Sequence, residues 1–185
     1  ALIWPNTEKF NQSIRDGSMD YTILQPVNSM FLVTFSRITV WRIWDLILAA
    51  VLIVVGVNMS AETTTAPQIL TFILLSLSGM IVIYSLWIVL IALTFWFVKF
   101  DNNVTILQAL MDSGRYPATV YPAWLRLIVT FIIPIAVATT VPLQALRGEL
   151  TIVQIFIFLG VSVASFLIAS QVWKSGLKQY SGASS

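Results

Sequence analysis

The sequence predicts an all-α integral membrane protein, and three observations predict it. Four long apolar segments run at about residues 43–59, 69–98, 125–146 and 152–173. Hydrophobic residues make up 58% of the 185-residue chain and charged residues only 10%, too apolar a balance for a soluble domain of this size. Nine of the ten Lys and Arg residues lie on one side of the four segments. Each segment can cross a hydrocarbon core of about 30 Å, which takes about 20 helical residues. Lys9, Arg15, Arg37 and Arg42 precede the first, Lys99, Arg115 and Arg126 lie between the second and third, and Lys174 and Lys178 follow the fourth; Arg147 alone lies opposite. The side rich in Lys and Arg is the cytoplasmic one, so both visible ends of the chain are expected inside.

The elements follow in order. Residues 1–45 form a mixed inner region ahead of the first span. Ala1–Trp4 reads as the inner end of an earlier span, and the chain opens without an initiator Met, so an N-terminus further upstream is expected. Pro5 to Asp20 is polar, with Gly17 as a breaker, and Gln25-Pro26 closes the apolar run Tyr21–Leu24. In Asn28–Trp44, Phe31, Phe35 and Ile38 fall at helical spacing among Arg37, Trp41, Arg42 and Trp44. This pattern predicts an interfacial helix along the inner leaflet, since two Arg at full membrane depth would be costly; the alternative is that it begins the first span early.

The spans occupy residues 46–173 in this reading. Asn58–Gln68 is a short outer loop, so the first two spans form a tight hairpin. Residues 69–98, about 45 Å long as a helix, exceed what a membrane needs and are expected to tilt or to project inward. Residues 101–124 return on the inner side: Val104–Met111 has helical apolar spacing, Ser113-Gly114 ends it, and Pro117 and Pro122 hold the run that follows extended. The span Leu125–Leu146 carries Pro134 and Pro142, each lacking a backbone donor, so a bend near the first or a break near the second is expected. Arg147-Gly148-Glu149 is a minimal outer turn, and residues 174–185 form an inner tail.

The composition excludes much chemistry. The chain has neither Cys nor His, which removes disulfides, thiolate chemistry, imidazole-ligated metals and the usual proton shuttle. No phosphate-cradling GxxxxGK[ST], GxSxG or HExxH motif occurs. No catalytic residue, metal or cofactor is expected, and a net charge of +2 is too small to suggest nucleic acid. Between Leu46 and Val98 the only charge is Glu62, in the outer loop. Ion-driven transporters carry ionisable groups at membrane depth, so any active transport here would draw its energy from another subunit. The hydroxyl residues within the spans, such as Ser76, Ser78, Ser85 and Ser162, read first as packing positions and second as a substrate path. Gly79 with its neighbouring serines, and Gly160 with Ala164, read as close-packing faces.

One inner segment, IRDGSMDYTILQPV (residues 14–27), is short and charged and returns to the membrane. Held between spans, it suits force transmission to a soluble partner. Arg15, Asp16 and Asp20 would meet the partner's charges, and Met19 and Tyr21 would fill a pocket. It reads equally well as a solvated loop.

Three stretches then carry a resemblance. They are IRDGSMDYTILQPVNSMFLV (residues 14–33), with Met19 where leucine is usual, RYPATVYPAWLRLIVTFIIPIAVATTVP (residues 115–142) and WKSGLKQYSGASS (residues 173–185). In this order they resemble the ABC-2 family of ABC transporter permeases, within a branch of bacterial integral membrane subunits. The family usually has six spans, so the resemblance implies the C-terminal two-thirds of a six-helix permease. It further implies the membrane half of an exporter in the bacterial inner membrane. Its partners would be a second permease subunit, two separate ATP-binding cassette subunits on the cytoplasmic face, and the surrounding lipids. Residues 14–24 would then be the coupling helix, with Ile14, Arg15, Asp16, Gly17, Met19, Asp20 and Tyr21 at the ATPase contact. The competing reading is a non-transporting structural or assembly subunit of a larger membrane complex.

The orientation is checked by single-cysteine labelling, clean in a chain with no native Cys. A cysteine at Thr64 is expected to react with an impermeant reagent from outside the cell, and labelling only from the cytoplasmic side would reverse the topology.

Overall fold

The computed structural model describes residues 3–36, 43–59, 64–96, 122 and 135–180. The expected inner stretch 101–124 (Pro122 aside), the first part of the third apolar segment with Pro134, and the end of the tail lie outside the described residues. The elements among the described residues are helical: α1 (Ile3–Arg15), α2 (Met19–Leu24), α3 (Ser29–Phe35), α4 (Ile43–Met59), α5 (Ala66–Ala92), α6 (Ile135–Leu146) and α7 (Ile152–Gln179). A 3₁₀ turn, Leu93–Phe95, continues α5.

Both long helices start the same way. The Gln68 side chain accepts from the Thr65 N–H at 2.7 Å, and the Gln154 side chain from the Thr151 N–H at 2.8 Å. In the second box the Thr151 hydroxyl also accepts from the Gln154 N–H at 3.4 Å. Each T-x-x-Q box satisfies amide donors that an apolar surrounding would leave orphaned. Pro67 stands in the first turn of α5, where no donor is needed.

Ala66–Phe95 and Ile152–Gln179 are long and apolar enough to cross a membrane. Helix α5 is the spine, packed along one side by α7 and along another by α6. Apart from Trp87, its buried residues are small or branched, among them Ser78, Gly79, Val82, Ser85, Ile88 and Ala92. On α7, by contrast, most apolar side chains face outward, among them Ile152, Val153, Phe156, Val163 and Ile168. Helix α4 is more extreme, with its described side chains exposed on every face apart from half-buried Val57. Large apolar side chains displayed around a whole helix fit a hydrocarbon solvent, where no hydrophobic force drives them inward.

Where α5 meets α6, two sequence features explain each other. Pro142 cannot donate to the Ala138 carbonyl one turn back. That carbonyl lies over Gly79, so close that an added Cβ there would stand 2.7 Å from it. The missing Cβ lets the two backbones approach. The helix nonetheless continues through Pro142 to Leu146, so the expected break at Pro142 is absent; Pro142 itself is buried. Helix α6 ends in a Schellman motif, with the Glu149 N–H bonded to the Gln144 carbonyl at 3.0 Å and that of Gly148 to Ala145 at 3.1 Å. Gly148 takes the left-handed φ of 71° this requires.

The serines on these helices donate to their own backbone, Ser78 to Leu74 at 3.0 Å, Ser85 to Ile81 at 2.7 Å and Ser162 to Leu159 at 2.8 Å. With those hydroxyls satisfied locally, their packing role is favoured over a polar path. Gly160 has nothing within 4 Å of an added Cβ, so the close-packing face expected there is not formed among the described residues.

A direct comparison checks the α5–α6 contact. Gly79→Ala is expected to cost about 1–3 kcal/mol by overpacking against backbone. Gly160→Ala should be neutral or raise stability by up to about 1 kcal/mol. Thermal unfolding of both variants in detergent reads the difference.

Candidate functional site

The N-terminal region, whose segment 14–27 read equally well as a compact element or a solvated loop, is a packed elbow. In α1, Asn6, Thr7, Phe10 and Ile14 are spaced by about one turn, and all four are buried. The Trp87 indole on α5 donates to the Thr7 hydroxyl at 2.7 Å, deep in the core. Asn6 donates to the Thr34 carbonyl at 2.7 Å and accepts from the Ser36 hydroxyl at 2.7 Å, which ties α1 to α3. The Thr34 hydroxyl lies 2.9 Å from that of Tyr84 on α5 while donating to the Met30 carbonyl, so Tyr84 is the donor of that pair. From α7, the Trp173 indole donates to Ser29 at 3.2 Å. Around these bonds the rings of Phe10, Phe95 and Trp173 pack edge-on or tilted, with centroids 5.3–5.5 Å apart.

The turn out of α1 follows from its sequence. Gly17 adopts a left-handed φ of 75°. One Asp16 carboxylate oxygen accepts from the Ser18 hydroxyl at 2.7 Å and from the Ser18 N–H at 3.0 Å. These bonds hold its carboxyl below the ordinary value. The sign follows: the turn gains from them above the usual carboxylate range and loses them as pH falls through the lowered value. The chain then re-enters as α2, and Gln25 in extended conformation ends it before Pro26. Asn28 caps α3 by accepting from the Met30 N–H at 3.0 Å.

The seven segment residues expected at a partner contact divide into buried, half-buried and exposed groups. Met19 is 0% exposed and Ile14 8%, both within the core that Phe10, Met30, Trp87, Ile91 and Trp173 share. Met19 therefore fills a pocket of its own chain, and the expectation that it fills a partner's is corrected. Nor is the segment independent of the core, as a loop outside the spans would be. Arg15, Asp16 and Tyr21 are exposed, with Tyr21 at 76%. Gly17 supplies the turn. Asp20 is half-buried beside Tyr180, which follows α7. Burial first, then the charges of Asp20 and Asp16, push the Tyr180 hydroxyl above its ordinary value.

Reading the sequence alone missed Leu24, at 81% the most exposed large apolar side chain here, and Val27 at 48%. The signal was present in the Tyr21–Leu24 spacing of three. It also missed the buried α1 stripe, visible in Phe10 and Ile14 four residues apart. The product is a rigid projection with an apolar tip and acidic flank. Among the described residues no three His, Cys, Asp or Glu side chains gather as a metal site would require.

The division into buried and exposed residues predicts a contrast in stability. Met19→Ala should cost about 2–5 kcal/mol through the cavity it leaves, while Tyr21→Ala should change stability by no more than about 0.5 kcal/mol. Unfolding midpoints in detergent distinguish them.

Comparison with known proteins adds one finding. No curated protein and no solved structure matches the chain. A family model described as "ABC-2 family transporter protein" matches residues 1–184, essentially the whole chain.

Proposed function

The chain belongs to the ABC-2 family of transporter proteins, and from that premise we propose that it is the permease subunit of an ATP-driven exporter, energised by separate ATP-binding subunits. Membership makes it a membrane protein with a permease role and no catalytic role of its own. The finer reading places four spans in the bacterial inner membrane, at residues 43–59, 69–98, 125–146 and 152–173, with both visible ends cytoplasmic. The nine-to-one division of Lys and Arg supports that orientation. Two permease subunits would enclose the pathway. The outward apolar faces of α4 and α7 leave ample surface for a second copy as well as for lipid.

The observation that carries the reading is the elbow. Its tip, Tyr21 and Leu24, stands clear of the protein, while its base is fixed to α5 and α7 through Met19, Phe10, Phe95 and Trp173. A close-packed core does not absorb displacement, so a push on the tip moves the ends of both long helices together. Tyr21 and Leu24 suit an apolar cleft on an ATP-binding subunit, and Asp16 and Asp20 suit basic residues at its rim. ATP-driven approach of the two ATPases would then tilt α5 and α7 and change which side of the membrane the pathway faces.

Tyr21→Asp combined with Leu24→Asp tests this, because neither side chain supports the fold. Loss of a central apolar anchor typically costs about 2 kcal/mol or more, about thirtyfold in association. The double variant should therefore fail to retain the ATP-binding subunit in a pull-down while keeping its unfolding midpoint. Unchanged association and unchanged ATPase stimulation would overturn the coupling role.

A further inference from the structure

The elbow encloses a groove that force transmission does not use. It lies between α1, α2 and α3, has a volume of about 500 Å³, and opens to the outside. Its floor is set by buried Asn6, held by Thr34 and Ser36. Its two walls differ. On one stand Phe31 and Phe35, one helical turn apart, rings 4.6 Å apart and both exposed. On the other stand Lys9, Thr22 and Gln25.

The donor inventory of the polar wall narrows the ligand. The hydroxyls of Ser13 and Ser18, also in the lining, already donate within the protein, to the Phe10 carbonyl at 2.7 Å and to Asp16 at 2.7 Å. Lys9 with its ammonium, Thr22 with its hydroxyl and Gln25 with its amide remain to donate outward. Among the described lining residues none is acidic and Lys9 is the only ionised one, while Asp16 is engaged by Ser18 beside it. The wall is thus complementary to an anion with several acceptor oxygens.

Depth narrows it further. The ring of Phe10, next to Lys9, lies 5.4 Å from that of Trp173, and exposed Lys174 follows. Lys174 and Lys178 are both exposed in the last two turns of α7, and basic side chains at the end of a membrane-spanning helix mark the headgroup level. At that level an outward Phe pair faces acyl chains while a Lys beside it faces phosphate.

We propose that this groove binds one anionic phospholipid, its phosphodiester held by Lys9, Thr22 and Gln25 and its acyl chains laid along Phe31 and Phe35. This site goes beyond the exporter reading and requires no ATP-binding partner. A lipid there would fill the angle between α1, α2 and α3 and brace the elbow against the membrane surface.

Native mass spectrometry of the full chain in detergent, titrated with phosphatidylglycerol or phosphatidylcholine, tests the site. The first phosphatidylglycerol should bind about tenfold or more tightly than phosphatidylcholine, the scale of one charge-assisted hydrogen bond. Lys9→Gln should remove that preference, and Phe31→Ala with Phe35→Ala should weaken both lipids. Lys178→Gln, a charge change outside the groove, should leave the preference intact. All these side chains are exposed, and unchanged unfolding midpoints confirm that the variants fold. Equal binding of the two lipids, or a preference that survives Lys9→Gln, would overturn the proposal. So would competition by soluble glycerol phosphate at the lipid's own concentration, which would make this a free-anion site. Displacement of the lipid by an ATP-binding subunit would also overturn it, by making the groove a protein-docking face.

Discussion

One buried hydrogen bond organises this end of the molecule: the Trp87 indole on α5 donating to the Thr7 hydroxyl on α1. Trp87 is completely buried, and an indole N–H left without an acceptor in apolar surroundings would cost about 1–3 kcal/mol. Thr7 removes that cost and in doing so fixes the rotation of α1. Once α1 is set, Phe10 falls against Phe95 and Trp173, and Ile14 and Met19 fall into the same core. Trp173 repeats the pattern through Ser29, which fixes α3 to α7. Large aromatic bodies supply the buried area, and their single polar atoms fix the register.

The rest of the molecule applies the same rule at lower density. Serine hydroxyls turn back to their own helices, threonine–glutamine boxes close the exposed amide ends, and the proline in α6 lays a carbonyl over a glycine instead of an opposing side chain. These are local solutions to one constraint, that polar backbone groups find partners where water is scarce. They leave helix association to shape. Hence α5, with its small inward residues, gathers neighbours, whereas α4, large and branched around its circumference, displays its side chains outward.

Three tasks meet in the elbow, and only Phe10 and Tyr21, which also line the groove, are shared between them. Met19, Ile14 and Phe10 hold it. Tyr21 and Leu24 project from it. Lys9, Thr22 and Gln25 turn toward a separate groove. Helical geometry makes the separation possible, because neighbours in sequence point about 100° apart. Met19 and Tyr21, two apart and alike in apolar character, therefore have opposite fates. The Tyr180 hydroxyl, buried beside Asp20, closes the far side and brings the end of α7 into the same unit.

The sequence by itself determined the helical membrane class, the long apolar helices α5 and α7, and the breaks at Gly17 and Pro26. Each is encoded locally, in runs of apolar residues, in residues with special backbone freedom, or in the placing of Lys and Arg. Pro142 was legible as a missing donor, but not as a helix that continues past it, because whether the freed carbonyl finds a neighbour depends on Gly79, some sixty positions away. The burial of Met19 and the groove beside Lys9 were equally closed to sequence reading. Both arise where α1, α2, α3, α5 and α7 converge, and the face a short helix turns inward is set by partners distant in the chain. Asn6 and Thr7 looked like solvated polar residues, and only the tertiary structure placed Thr34 and Trp87 against them and made them part of the core.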